Sequence, residues 1–252
     1  MLSGYYTIAS GMMTNQRQLD VIGNNLVNAQ TPGYRADRLV VSSFEQELLT
    51  RREGSGDLTL GRGVAATSAV VGEVVPLFNS GMVQSTDRAL DVAIDGDGFF
   101  NIQGTDGTTY LTRNGQFDID QNGYLILPGV GRVLGQGGPL QVGENFTLQE
   151  NGELYNSEGT QIGALRLSAA PENTPLIKLE NGLFRLPDGA QAQNVNGSRL
   201  LQKQVERSNV DMNLEMTKLI EAQRAFQACS SALQVMDGIN RKAASQLAAL
   251  NG

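Results

Sequence analysis

Residues 24–35, NNLVNAQTPGYR, decide the fold, because they finish one amphipathic run and then stop it. Residues 3–29 contain no proline and place apolar groups at Tyr5, Ala9, Met12, Leu19, Ile22 and Leu26. Steps of three, four and seven predict a helix of about 40 Å with one covered face. Pro32 disfavours α geometry at Thr31, and Gly33 suits the left-handed position of a turn, so the helix ends there. Asparagine is a poor residue for a helix interior, since its amide competes for backbone hydrogen bonds. Asn24, Asn25 and Asn28 therefore look for partners outside the helix.

The far end of the chain offers one. Leu219, Ala222, Phe226, Cys229, Leu233, Met236, Asn240, Ala243, Leu247 and Leu250 alternate steps of three and four. That heptad seam predicts a helix of roughly 60 Å, with Asn240 as the one polar residue in the line. Ser208 and Asp211 are spaced as in a capping box and put its start near 208–211. The expected fold class is α+β. Residues 1–30 and 208–252 form terminal helices that pair as a coiled coil, with each other or with another copy.

Between them the character changes. Residues 91–197 hold 18 of the 30 glycines and short alternating runs such as Leu90-Asp91-Val92-Ala93-Ile94. Asn-Gly pairs at 114, 122, 151 and 181 predict hairpins, so this portion reads as a central all-β domain. Residues 31–90 and 198–207 form an extended connecting region. There Leu39, Val40, Val41 and Phe44 suggest a strand or short helix, Arg51 to Gly63 a polar loop, and Ala65 to Leu77 an extended segment.

Composition narrows the chemistry. The 252 residues carry a net charge of -7, which argues against a nucleic-acid partner. The chain has no histidine, which removes Ser-His-Asp and Cys-His catalysis and His-liganded zinc. No apolar run reaches membrane-spanning length, and the N-terminus lacks the pattern of a cleaved signal peptide. Cys229 is the only cysteine; on the apolar seam and without a histidine it reads as a structural thiol.

Three segments mimic sites. DIDQNGYLILPG (118–129) places Asp118, Asp120, Asn122 and Gly123 as in an EF-hand loop, but Gly129 stands where a bidentate Glu belongs, so a hairpin is expected. Asp95-Gly96-Asp97-Gly98 reads as a turn. Gly131, Gly135, Gly137 and Gly138 lack the spacing and the Lys-Ser/Thr of a phosphate loop. Neither a metal nor a cofactor is expected. Two other classes stay open on the residues alone. One is a calcium- or carbohydrate-binding β module on an oligomerising coiled coil; the other is a hydrolase using Asp95 with Asp97, or Asp118 with Asp120.

The motifs carry a resemblance. Ile22 to Arg35 resembles the N-terminal signature of the rod and hook proteins of the bacterial flagellar basal body, an NNLAN-type helix end before a T-P-G-[YF]-[KR] turn. SNVDMNLEMTKLIEAQRAFQA (208–228) is similar to that family's closing motif, and LDVAIDGDGFF (90–100) and YLTRNGQFDIDQNGYL (110–125) resemble segments of the FlgF and FlgG type. The resemblance implies a non-enzymatic structural subunit of the axial rod. It would assemble head-to-tail into a tube that crosses the periplasm and transmits torque. Export would be by the flagellar type III apparatus, without a cleaved signal. Partners would be further copies, other rod and hook proteins, and possible ring proteins around the rod. Implied assembly residues are Asn24, Asn25, Leu26, Asn28, Thr31, Pro32, Gly33 and Tyr34 at the N-terminal motif. On the C-terminal side they are Ser208, Asn209, Val210, Leu219, Ala222, Gln223, Arg224, Phe226, Leu233, Met236 and Leu247. Both a distal-rod and a neighbouring proximal-rod member fit, and the loop at 51–63 is where the two would differ.

Overall fold

The computed structural model describes residues 2–49, 63–70, 73–143, 146–171, 174–195 and 197–250. The chain divides into two compact units. One comprises Met1–Val27, Asp37–Leu77 and Asp211–Gly252; the other comprises Asn28–Ala36 and Phe78–Val210.

The first unit is built on helices α1 (Leu2–Val27) and α2 (Met212–Leu250). They pack antiparallel. Tyr5 Oη donates to Asp237 Oδ1 at 2.5 Å, Asn15 Nδ2 lies 3.9 Å from Cys229 Sγ, and Asn25 Nδ2 donates to Glu215 Oε2 at 3.2 Å. As α1 advances, its partner on α2 recedes. All seam residues from Leu219 to Asn240 are buried or half-buried, as are Tyr5, Ala9, Met12, Leu19, Ile22 and Leu26 of α1. Over this range the two predicted stripes face covered surface, as expected of amphipathic helices, whereas Ala243, further along the predicted seam, is exposed, and the side chains of Leu247 and Leu250 lie outside the described residues. Asn240 Nδ2 donates to Tyr5 Oη at 3.2 Å, so the polar residue in the seam has a partner on α1.

The start of α2 needs one correction. Asp211, not Ser208, caps it: Asp211 Oδ1 accepts the backbone N–H groups of Asn213 and Leu214 at 3.0 and 3.2 Å. Ser208 Oγ instead accepts the N–H of Val210 ahead of the helix, at 3.3 Å. A cap must present its oxygen to the first free amides, and only Asp211 is adjacent to them.

Two antiparallel pairs complete this unit, Asp37–Leu39 with Val74–Pro76 and Ser42–Leu49 with Gly63–Val70. The apolar run after the turn is therefore strand, and most of 65–77 is extended. Residues 51–62 of the expected polar loop lie outside the described residues.

The second unit is antiparallel β structure. Its main sheet follows the order Ile177–Lys178, Leu183–Arg185, Thr109–Thr112, Phe99–Gly104, Gly131–Gly135, Leu125–Leu127 and Asp118–Ile119. The core contains Phe100, Ile102, Phe117, Leu125, Val133 and Leu154, with Phe100 and Phe117 edge to face at 5.0 Å between centroids. Three Asn-Gly pairs make hairpins, joining Asp118–Ile119 to Leu125–Leu127, Phe146–Leu148 to Glu153–Asn156, and Ile177–Lys178 to Leu183–Arg185. At 181 both Asn181 and Gly182 have positive φ, 59° and 70°, within a tight three-residue reversal closed by the Leu179 N–H on Leu183 O at 2.8 Å.

The fourth pair does not. Asn114 Oδ1 accepts the N–H of Gln116 at 3.0 Å, and the strands on either side of it pair elsewhere. A Cβ on Gly115 would lie 1.7 Å from Val92 O, so this glycine serves close backbone approach rather than chain reversal.

In the EF-hand mimic, Asp120 Oδ1 accepts the N–H groups of Asn122 and Tyr124, both at 2.8 Å, while Oδ2 accepts from Arg132 at 3.2 Å. The amide of Tyr124, foremost, holds the Asp120 carboxyl below its usual range. A depressed folded value stabilises the turn above the unfolded value and loses that contribution as pH falls through the folded one. An NMR titration should give Asp120 a midpoint below that of an unstructured aspartate, with Tyr124 amide protection declining through the same pH range.

Candidate functional site

The two signature motifs each contribute to both units, and their polar residues are engaged locally in each. In the helical unit the focus is Asn25, almost wholly buried. Its Oδ1 accepts the N–H of Asp37 at 2.8 Å, and its Nδ2 donates to Asp37 O at 2.9 Å and to Glu215 Oε2 at 3.2 Å. One carboxamide thus reads both backbone groups of a residue twelve positions on, while holding a carboxylate from α2. Glu215 is completed by Lys218 Nζ, 2.7 Å from Oε1. An amide suits this position because it alone supplies a donor and an acceptor side by side without a charge.

In the β unit the focus is the turn Thr31–Ala36. Thr31 N–H donates to Asn28 O at 3.1 Å and Thr31 Oγ1 to Asn28 Oδ1 at 3.2 Å. Gly33 has φ 68°, and a Cβ there would lie 2.3 Å from the backbone of both Arg113 and Asn114. Only glycine fits both the angle and the space. Its N–H donates to Glu206 O at 2.8 Å; Asn209 Oδ1 accepts from Ala36 N–H at 2.7 Å; and Lys178 Nζ donates to Arg35 O at 2.6 Å. That ammonium also lies 3.9 Å above the ring of the buried Tyr34.

Beneath the turn is a buried charge cluster. Glu206 Oε1 accepts from Arg35 Nη1 at 2.6 Å and from Gly81 N–H at 2.9 Å, and Oε2 accepts from Arg113 Nη1 at 3.2 Å. The Arg35 and Glu206 side chains are each 1% exposed. Two guanidiniums against one carboxylate leave excess positive charge, which neutral acceptors spread. Asn79 O accepts from Arg35 at 2.9 Å, Gly96 O accepts from Arg113 at 2.8 Å, and the Phe99 ring lies 5.4 Å from Arg113 Cζ. Burial, partly countered by Glu206, draws Arg113 below its ordinary value, and the neighbouring Arg35 adds to that.

The remaining motif residues divide by exposure. Gly33, Tyr34 and Ala222 are buried, and Leu26, Asn28, Thr31, Pro32, Ser208, Asn209, Val210, Leu219, Phe226, Leu233 and Met236 are half-buried. Asn24, Gln223 and Arg224 are exposed; the Leu247 side chain lies outside the described residues. Sequence reasoning missed Glu206, Arg113, Lys178 and Glu215. The available signal was Glu206 directly after Val205 at the head of the closing motif, but an isolated carboxylate normally reads as solvated surface.

In each unit the polar residues of the two motifs hold the turns and helix contacts of this chain. Three family descriptions match it in order: flagella basal body rod protein at 6–35, flagellar hook protein FlgE/F/G D1 domain at 93–136, and flagellar basal body rod FlgEFG protein C-terminal at 201–247. The flagellar basal-body rod protein FlgG of Bacillus subtilis is 32% identical, over 95% of this chain and 97% of that protein. FlgG of Borreliella burgdorferi is also 32% identical, over 95% and 96%. FlgF of Caulobacter vibrioides is 27% identical over the whole of both. The chain belongs to the FlgG/FlgF-type rod proteins of the flagellar basal body, as a structural rod subunit.

Replacing Glu206 by Gln should leave two buried guanidiniums without a counter-charge and cost about 3–5 kcal/mol. The urea midpoint of the purified chain would report it; an unchanged midpoint would show that the cluster does not hold the turn.

Proposed function

We propose that this chain assembles head-to-tail into a helical tube, the rod, which crosses the periplasm and transmits torque. The paired terminal helices form the inner coiled-coil layer of that tube. Its work is mechanical and not enzymatic. Partners are further copies and neighbouring rod and hook proteins, with ring proteins around the tube, and export uses the flagellar type III apparatus without a cleaved signal. Relatives named FlgG and FlgF support distal and proximal positions alike. No helix among the described residues is long and apolar enough to cross a membrane. The calcium- or carbohydrate-binding alternative gains no support, since Asp120 is engaged within its own turn.

One observation carries this reading. After α1 and α2 pair, large apolar side chains still face outward, among them Met13 at 67%, Val235 at 62% and Ile239 at 57% exposure. Helices that show apolar residues on two sides have further helices to meet. They sit on the segments matched by the rod-protein descriptions.

A chain ending at Asn209 keeps Glu206 and Asn209 but lacks α2. It should retain the β unit's near-native protection from proteolysis yet form no rod, and cells carrying it should not swim. Normal swimming with the truncated chain would remove the proposal.

A further inference from the structure

The chain holds six Asn-Gly pairs, of which those at 196 and 251 include residues outside the described ones. An asparagine followed by glycine has a chemistry of its own. The glycine nitrogen, with no Cβ beside it, is open to attack the asparagine carboxamide. The reaction needs a carboxamide free of other bonds and a main chain that can turn.

At Asn114 and Asn151 the carboxamide is engaged. Asn114 Oδ1 accepts the N–H of Gln116 at 3.0 Å. Asn151 Oδ1 accepts the N–H of Glu153 at 3.0 Å, while its Nδ2 donates to Glu153 Oε2 at 2.9 Å. At Asn122 the main chain is engaged instead. Gly123 N–H, the group that would attack, donates to Asp120 O at 3.0 Å, and Gln141 Nε2 donates to Asn122 O at 2.9 Å. The Asp120 carboxylate clamps the same turn through the amides of Asn122 and Tyr124.

Asn181 differs. Its side chain is exposed and, among the described residues, makes no hydrogen bond. The reversal Glu180–Gly182 follows Ile177–Lys178, the outermost strand of the main sheet, which is joined to its neighbour by two residue pairs. Among the described residues one side chain bonds to the reversal, Thr112 through Oγ1 on Gly182 O at 3.2 Å. Short pairing at an exposed sheet edge opens at low free energy.

We propose that Asn181 is a site of spontaneous modification in the folded chain, and that its product loosens the turn Thr31–Ala36. Gly182 N loses its proton to solvent base and bonds to Asn181 Cγ. The carboxamide nitrogen takes a proton from water and leaves as ammonia, closing a succinimide. Water then opens the ring. Breaking the bond from Gly182 N to the main-chain carbonyl carbon of residue 181 gives isoaspartate; breaking the bond to Cγ gives aspartate. Isoaspartate routes the chain through the former side chain and lengthens the reversal by a carbon. The turn lies against it: a Cβ on Gly182 would be 3.9 Å from Tyr34 Cα and 4.0 Å from Gly33 O. The same hairpin carries Lys178, whose Nζ donates to Arg35 O at 2.6 Å. A longer reversal draws Gly182 O off Thr112 and Lys178 off the turn.

The test ages the full chain in mildly alkaline heavy-oxygen water and maps its peptides by mass spectrometry, with isoaspartate read by isoaspartyl methyltransferase labelling. Heavy oxygen should enter at Asn181 severalfold ahead of Asn114, Asn122 and Asn151, and Asn181→Gln should abolish labelling there. In urea the four should react at similar rates, because only the fold separates them. Earlier entry at any of the other three, no entry at Asn181, or an unchanged order in urea would overturn the assignment. Hydrogen exchange at the Gly33 amide should be faster in the isoaspartyl chain than in Asn181→Asp, which adds the charge without the carbon. Equal exchange would overturn the effect on the turn and leave the modification standing.

Discussion

The carboxylate of Glu206 is the constraint on which the β unit depends. It is buried, and a buried charge persists only when paired and hydrogen-bonded. Its three donors come from residues 35, 81 and 113, segments far apart in sequence. Satisfying one side chain therefore fixes the relation of the N-terminal turn, the start of the β unit and the end of the strand Thr109–Thr112. Two arginines around one acid also leave little freedom: Asn79 O, Gly96 O and the Phe99 face must all be in place to accept the surplus charge. A hydrophobic cluster could match the stability, but it would not dictate geometry so narrowly.

Asn25 does for the helical unit, with a neutral group, what Glu206 does for the β unit. It joins α1 to the backbone of Asp37 and to Glu215 of α2, while Tyr5, Asp237 and Asn240 tie the helices at the other end. Polar ties at both ends of an apolar seam set register, because slippage by a turn would strand each of them unpaired. A helical pair held in this way does not slide. The amides that weaken an isolated helix are what give this one a defined partner.

Much of this was legible beforehand. The helices, their covered faces and the strand-rich middle follow from periodicity, since a stripe every three or four residues has one physical explanation. Three Asn-Gly hairpins and the left-handed Gly33 follow from turn chemistry. The misreadings at Asn114 and Ser208 share a cause. Each residue type fits several local hydrogen-bond patterns, and the neighbouring strand or helix selects among them. Thus Gly115 looked like half of a turn but lies against Val92 O, and Ser208 looked like a cap but lies ahead of the helix that Asp211 starts.

By itself the sequence determined the two amphipathic helices, the stop at Pro32-Gly33 and the family, because periodicity, steric limits on φ and motif order are local properties of the chain. Only the tertiary structure decided that α1 and α2 run antiparallel, that Asn25 grips Asp37 and Glu215, and that Glu206 lies between Arg35 and Arg113. These are pairings across up to 235 positions. A charged or amide side chain carries no mark of the distant partner that will satisfy it, and burial alone turns such a group from solvated surface into a structural requirement.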